Sequence, residues 1–588
     1  MSYQVPLQDM AFLARSQQQS SGSNASPEGS DSREQASMIL EEAAKLAQQQ
    51  WLPCNRSGDQ QGCVLENGKV QLAEPIRAAF RNYADAGWMG LAMPERWGGQ
   101  QQSEVLGSFV GEMLTSSNHA LSMLPALTMS ACRAIISHGS DELRDTYLPP
   151  IIAGRWSATM CMTEAHCGSD LGLVRSKALP DGEGFRITGS KIFISYGSHN
   201  ASDNIIHLVL ARLPQAPAGI KGLSLFLVPE KIQDGFQVWQ QDNAVVCTGI
   251  EEKMGIHASP TCSISFENSL GYLVGEENGG IKAMFTMMNE MRLGTCLQGV
   301  GLSEHSYQRS LEYAKERLQM RSLSGVKNPA GEADAIVEHP DVRRMLLTQK
   351  AFADGGRALA NYCAQLLDQL AEDPQNKDAK LLLELLTPIA KGFCTEAGLE
   401  SASHAIQVYG GHGFISENGV EQLYRDGRIA TLYEGTTGIQ ALDLLGRKVL
   451  GNQGASLRLF TKKIHLLCKE NLEHPKLAKL AQQLHGFAKE WPDLSMKIGM
   501  KAMQNHDEAG AASFDFLMYS GYVTLGYFHL KSAAEACELL KADDSEFSAE
   551  FLQQKIQLAN FYLQRILPRT AGHQATMLAE LNSLDAVW

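Results

Sequence analysis

The sequence predicts an α+β protein of several domains, on three observations. Apolar residues recur with a helical period from about Ala36 to Gly154, the period changes to two between Ala158 and Asn268, and the helical period returns after Gly279. Helices and strands segregated in this way argue against a βαβ sandwich. No GxGxxG follows a strand, so a nucleotide cofactor must be held by something other than a dinucleotide-binding Rossmann unit.

Taken in order, residues 1–37 read as a short N-terminal element, Tyr3 to Leu13, followed by a tether. The tether, SQQQSSGSNASPEGSDSREQAS at 16–37, lacks large apolar side chains and cannot offset its ordering entropy by burial. Residues 38–157 read as helices, from SMILEEAAKLAQQQ and EPIRAAFRNYADAGW, broken by PERWGG at Pro94 to Gly99. Residues 158–270 contain FRITGSKIFIS, NIIHLVLARL, LSLFLVPE and CSISFENS between Gly, Pro and Asn, which predicts a compact antiparallel barrel or sandwich. Residues 271–453 are helical again, and 454–588 form a further helical extension with polar breaks at Asn452 to Gly454 and Glu473 to Pro475.

A chain of 588 residues with 44% apolar and 20% charged residues can build sizeable cores, and no run approaches the roughly 20 consecutive apolar residues of a membrane span. The formal charge of -14 disfavours nucleic acid, which wants clustered Lys and Arg. Twelve cysteines occur without a CxxC pair, which suggests reduced buried thiols. The N-terminus has no basic stretch followed by an apolar one, so a secretory signal is not supported and the cytoplasm is the default expectation.

Three stretches carry candidate chemistry. Glu434 lies between an aromatic and a glycine in TLYEGTTGIQALDLLGRK, where Thr436 or Thr437 is placed to cap the following helix. A glutamate there serves either as a base or as a partner of the helix dipole. In QVYGGHGFISENGVEQLYRDGRI the small residues permit close approach of a ligand or a second subunit, or simply cap a helix. In MTEAHCGSDLG, Thr163, Gly168 and Ser169 offer hydroxyls and free amides that could cradle an anion or a ring edge, whereas His166 and Cys167 have no further ligands nearby and predict no metal site.

The joint pattern of TEAHCGSDLG, TGSKIFIS, EEKMGIHASPT, NEMRLGTCLQGVGL, YAKERLQ, QVYGGHGF, YRDGRI and LYEGTTGIQ resembles the acyl-CoA dehydrogenase family in order and spacing. It is closest to the long bacterial branch that includes long-chain acyl-CoA dehydrogenases, which shares the N-terminal YxxPLxDMxF element and a helical C-terminal extension. The resemblance implies an N-terminal helical domain, a central β-barrel and a C-terminal four-helix bundle, with FAD between barrel and bundle and across a homodimer interface. It implies FAD contacts from Met162, Thr163, Gly168, Ser169, Phe193 and Ser195, from Arg317, Gln319, Gln407 and Gly411 toward the partner's flavin, and from Thr436. Ser169, Arg292, Tyr433 and Gly435 would face the substrate.

On this resemblance Glu434 is the catalytic base. Other branches carry their carboxylate just before the arginine of the NEMRL helix, where this chain has Met291. The implied reaction is the α,β-dehydrogenation of an acyl-CoA thioester to the trans-2-enoyl-CoA, of the fatty-acid β-oxidation type, with electrons passed to an electron-transfer flavoprotein. An acyl-CoA oxidase and a non-catalytic acyl-CoA-binding paralogue are the rivals. Long-chain, medium-chain and methylmercaptopropionyl thioesters all stay open. Ala165, His166 and Cys167, Met320 and Gly438 depart from the commoner family residues. The extension, with FLQQKIQLANFYLQRILPR, is expected to pack as a domain, with peripheral membrane contact as the alternative.

Overall fold

The computed structural model describes residues 3–20, 28–233, 237–542 and 546–586. The chain begins with α1 (Leu7–Ser20), α2 (Glu28–Leu46), α3 (Leu52–Gln61), the hairpin β1 (Cys63–Glu66) and β2 (Lys69–Leu72), then α4 (Glu74–Asp85), α5 (Glu104–Ser117), α6 (His119–His138) and α7 (Asp141–Ile152). The strand-rich part holds β3 (Trp156–Cys161), β4 (Lys177–Asp181), β5 (Gly184–Ser195), β6 (Asn204–Arg212), β7 (Leu223–Pro229), β8 (Lys231–Gln233), β9 (Trp239–Asp242), β10 (Val245–Ile250) and β11 (Thr261–Val274). Then come α8 (Gly280–Glu316), α9 (Pro340–Glu372), α10 (Lys377–Tyr409), α11 (Glu421–Gly427), α12 (Thr437–Leu442), α13 (Ala455–Asn471), α14 (Ala478–Gln504), α15 (Asp507–Leu539), α16 (Ala549–Phe561) and α17 (Thr570–Met577). Side-chain caps start several of these helices: Asn118 accepts from the Leu121 N–H, Ser140 from Leu143 and Asn376 from Ala379.

Two expectations need correction. Residues 16–37 are not one structureless tether: α1 continues to Ser20 and α2 starts at Glu28, because Gln, Ser and Glu are tolerable helix formers once no Pro follows. Residues 21–27 of that stretch lie outside the described residues. The N-terminal helical region also contains a β-hairpin, with Asn67 and Gly68 at its tip at φ 50° and 76°. That Asn-Gly pair between CVLE and KVQL is a strong two-residue hairpin signal.

The chain divides into two compact units. One comprises Lys45–Gly107 and Ser117–Gly294; the other comprises Ser2–Ala44, Ser108–Ser116 and Thr295–Trp588. In the first, β6 pairs with β7, β7 with β11, β11 with β5 and β5 with β4, all antiparallel, and β4 returns to β6 at Lys177 and Arg212, closing a ring. This is the barrel rather than the sandwich. Strand β3 adds alongside β6 in parallel, and β10 adds to β11. Both faces of β6 and β7 are buried, which explains the continuous apolar runs NIIHLVLA and LSLFLV. Helix α6 is long and apolar enough to cross a membrane by length and composition, but 72% of that window is buried, as in a core helix.

Within its described residues the second unit is helical. Helices α8 and α10 meet at glycines: a side chain on Gly299 would lie 2.2 Å from the Cys394 carbonyl oxygen, and one on Gly398 would lie 2.7 Å from that of Gly299. Helix α15 runs against α10 with Gly521 facing the Phe393 ring. The extension packs here as a domain, and Leu552, Leu558, Ala559, Leu563 and Ile566 of the FLQQKIQLANFYLQRILPR segment are buried.

A buried charge cluster ties five helices of this unit together. Arg357 on α9 donates to Glu112 of α5 at 2.6 Å and to Glu304 of α8 at 2.9 Å, with Asp354 at 3.2 Å. Lys350 lies 3.0 Å from Asp9 of α1 and 2.9 Å from Asp354, and Lys555 of α16 bonds Asp354 at 2.7 Å and also Asp9. Three cations face four carboxyl groups; Lys350 and Asp9 are partly buried and the other five are nearly or fully withdrawn from solvent.

Candidate active site

Glu434 occupies a tight turn between a short 3-10 segment ending at Thr431 and the start of α12. Its backbone is left-handed, φ 56°, and Gly435 follows at 85°. Holding a glutamate there costs on the order of 1 kcal/mol, so the surroundings must over-determine the turn. They do. The Gln440 Nε2 donates to the Glu434 carbonyl at 2.9 Å, Lys391 Nζ donates to the Gly435 carbonyl at 2.6 Å, and Thr436 Oγ1 caps α12 by accepting from the Ile439 N–H at 3.2 Å. Thr437 Oγ1 donates to Glu396 at 2.6 Å. Gly435 is required as well as permitted, since a Cβ there would sit 2.7 Å from Gln440 Nε2. Tyr433 donates its hydroxyl to Gln298 of α8 at 2.5 Å, and burial, followed by the Glu434 charge, pushes its ionisation far above the ordinary phenol range.

In the first unit, Met162, Thr163, Gly168 and Ser169 lie on the loop after β3, and Phe193 and Ser195 on the end of β5, to which Lys191 and Ile192 tie that loop. A bulge in β5 opposite Cys262 and Ile264 shifts the register, putting Phe193 at φ 60° with its ring 59% exposed. The Ile192 N–H donates to the Thr163 carbonyl at 2.9 Å, which fastens this bulge to the loop after β3. An exposed aromatic face suits a planar heterocycle, and Gly168 and Ser169 of the tethered loop are exposed as well, which fits the polar rim that FAD would present. Arg292, on the α8 segment belonging to this unit, is buried, 3.3 Å from Asn289 Oδ1.

The loop itself is organised by Glu164 and Lys191, which sequence reasoning missed. Glu164 accepts from the N–H groups of Arg175 (2.8 Å) and Ser176 (3.0 Å), from Ser176 Oγ (2.6 Å) and from the fully buried Lys191 (2.9 Å). Burial alone would raise this carboxyl, but the Lys191 charge and these hydrogen bonds outweigh it and bring it down to about 2. Ala165 and His166 form the tip between Glu164 and Cys167, whose backbones pair, and His166 turns outward to the Leu173 carbonyl at 2.9 Å. Atoms of Glu164, His166 and Cys167 lie within 4.8 Å of one another, but the carboxylate is already engaged. The available signal was a lysine amid the apolar residues of KIFIS.

Because the Glu164 carboxyl falls from 4.5 to about 2 on folding, its contribution is complete above about 4.5 and disappears as pH drops toward 2. Melting temperatures of the parent and Glu164→Gln should therefore differ most near neutrality and converge between pH 5 and about 2. A gap constant over that range would contradict the assignment.

Arg317 and Gln319 are exposed on the loop after α8, and Gln407 and Gly411 are exposed at the end of α10 and just beyond it. The buried Asp334 shapes the first of these loops. It accepts from the N–H groups of Ser322 (2.8 Å), Lys327 (2.9 Å) and Asn328 (2.7 Å), and these bonds, Ser322 foremost, hold its carboxyl at about 2. No local sequence pattern announced Asp334.

A helical region, a closed barrel, a helical bundle and a pinned glutamate turn define an acyl-CoA dehydrogenase, and the chain belongs to that family. The family's N-terminal domain matches residues 33–155, its middle domain 159–269 and its C-terminal domain 278–450, and an acetyl-CoA dehydrogenase C-terminal-like domain matches 460–586. The chain is 41% identical to the 3-methylmercaptopropionyl-CoA dehydrogenase of Ruegeria pomeroyi, with 99% of each chain covered. It is 31% identical to the broad-specificity linear acyl-CoA dehydrogenase FadE5 of Mycobacterium tuberculosis, covering 90% of each. Among solved structures, Caenorhabditis elegans ACDH-11 in complex with C11-CoA superposes with a TM-score of 0.79 at 19% identity, over 96% of this chain and 91% of that one.

Proposed function

We propose that this protein is an FAD-dependent acyl-CoA dehydrogenase in which Glu434 takes the α-proton of the thioester. The observation that carries this reading is the turn itself, a strained glutamate fixed by buried donors in a chain of this family. When bound, FAD supplies the acceptor for the hydrogen that leaves the β-carbon. By the family resemblance Met162, Thr163, Gly168, Ser169, Phe193, Ser195 and Thr436 would hold it, with Arg317, Gln319, Gln407 and Gly411 reaching toward the flavin of a second copy. Tyr433, Gly435, Ser169 and Arg292 would orient the substrate. A carboxylate held in one geometry avoids reorganisation as the proton moves. Donors aimed at the thioester oxygen, such as backbone N–H groups of this turn, would stabilise negative charge as it develops.

A homodimer is the proposed assembly. Its support is the exposure of large apolar residues near Arg317, Gln319 and Gly411 in sequence: Met320 is 70% exposed, Leu323 90% and Phe414 87%. An electron-transfer flavoprotein is the proposed electron acceptor, and the cytoplasm the proposed location.

For the substrate we carry over 3-methylmercaptopropionyl-CoA as the first thioester to test, on the 41% identity over the full chain. Anaerobic titration of the purified protein with that thioester and with linear acyl-CoAs should bleach an oxidised-flavin band near roughly 450 nm. The methylmercaptopropionyl thioester should be the most effective, and preference for a linear chain of any length would replace the substrate while keeping the reaction. A protein that reoxidises as fast in dioxygen as with its protein acceptor would be an oxidase.

A further inference from the structure

Lys391 stands on α10, its side chain fully buried, and donates to the Gly435 carbonyl at 2.6 Å, 44 residues away in sequence. Burying an ammonium is costly unless the charge does something there that a neutral donor would not. The receiving peptide is the one immediately after the left-handed Glu434. On the other side of Gly435, the carbonyl of Glu434 is held by Gln440, also fully buried. Both peptide bonds are trans, so fixing the two carbonyls aims the Gly435 and Thr436 N–H groups the opposite way.

We propose that Lys391 is a positioning residue for Glu434: its ammonium locks the turn and biases the adjoining carboxyl group toward its proton-accepting form. The inference rests on the reading of Glu434 as the base. Lys391 holds its positive charge on the carbonyl of the residue that follows Glu434, and a nearby cation favours an ionised carboxylate; Glu396 on the same helix, which accepts from Thr437, and Asp426 of α11, which acts on Tyr433, oppose it. Tyr433 adds no charge in the working range.

The test uses holoenzyme with Lys391→Met, which keeps length and apolar volume but removes donor and charge. Turnover should fall about 100-fold with KM changed less than about threefold, the size of effect expected from a misplaced reacting group. The acid limb of the kcat/KM profile should move to higher pH, and hydrogen exchange of the peptide spanning 431–440 should quicken while bound FAD stays near that of the parent. Lys391→Arg, retaining charge and donor, should recover about tenfold or more. If Lys391→Met does not fold, Lys391→Gln, a donor without charge, should still show the displaced acid limb.

Turnover within twofold of the parent, or a fall matched by lost FAD with an unmoved pH profile and unchanged exchange, would overturn the proposal and leave Lys391 a packing residue. Glu434→Gln assayed in parallel separates the failures. Normal turnover in that variant defeats the base assignment, whereas an inactive Glu434→Gln beside a normal Lys391→Met defeats only the role of Lys391.

Discussion

Glu434→Gln is expected to yield a folded, flavin-loaded protein whose dehydrogenation is slower by roughly 10³-fold or more, the upper range for loss of a general base. The reasoning is local. The turn is held through the backbone carbonyls of residues 434 and 435 by Gln440 and Lys391, and neither bond involves the Glu434 carboxylate. Exchanging one oxygen for an amide nitrogen therefore leaves the scaffold intact while removing the atom proposed to take the proton. Met291, buried and without a carboxylate, offers no substitute base on α8. Anaerobic stopped-flow bleaching by the preferred thioester measures the effect directly. A rate within tenfold of the parent would mean that the proton goes elsewhere.

Arg357→Met should have the largest effect on stability, a loss of about 3–5 kcal/mol, as when one member of a buried ion pair is removed and its partners are left charged. Here Glu112 loses its cation at 2.6 Å and Glu304 loses the nearer of two, at 2.9 Å, keeping Lys350 at 3.4 Å, in a site where Arg357 and both carboxylates are almost wholly buried. Burial already pushes the Glu112 carboxyl up despite Arg357, so without the guanidinium it should fold protonated. The double variant Arg357→Met, Glu304→Gln should accordingly regain part of the loss. Urea unfolding followed by a probe in the helical unit would read both, and a single variant indistinguishable from the parent would show that the cluster is not holding these helices.

The order of helices, strands and helices was legible because periodicity is a local property, and the family motifs carry the role proposed for Glu434. The β1–β2 hairpin was also legible, through Asn67 and Gly68, but a surrounding helical pattern obscured it. The pairs that organise the sites were not legible. Lys391 and Gly435 are joined only by the fold, as are Glu164 and Lys191; a lysine amid the apolar residues of KIFIS hints at burial but does not name its partner. Phe193 could be matched to a family position, yet its exposure follows from a β-bulge whose partner residues lie some seventy positions further along, at Cys262 and Ile264. Asp334 shapes the Arg317 loop through backbone N–H groups, which sequence does not display.

The charge cluster has a bearing on how the protein is made. Asp9 leaves the ribosome well ahead of its partners Lys350 and Lys555, which follow 341 and 546 residues later. At roughly 5–20 residues per second, α1 waits about half a minute to two minutes for Lys555. During synthesis the barrel unit, complete by Gly294, has all its strands in hand while α1 still lacks the helices that receive it. The N-terminal segment is thus born early and docks late, and in that interval Tyr3, Met10 and Phe12, fully buried at the end, are apolar surface for a chaperone to cover.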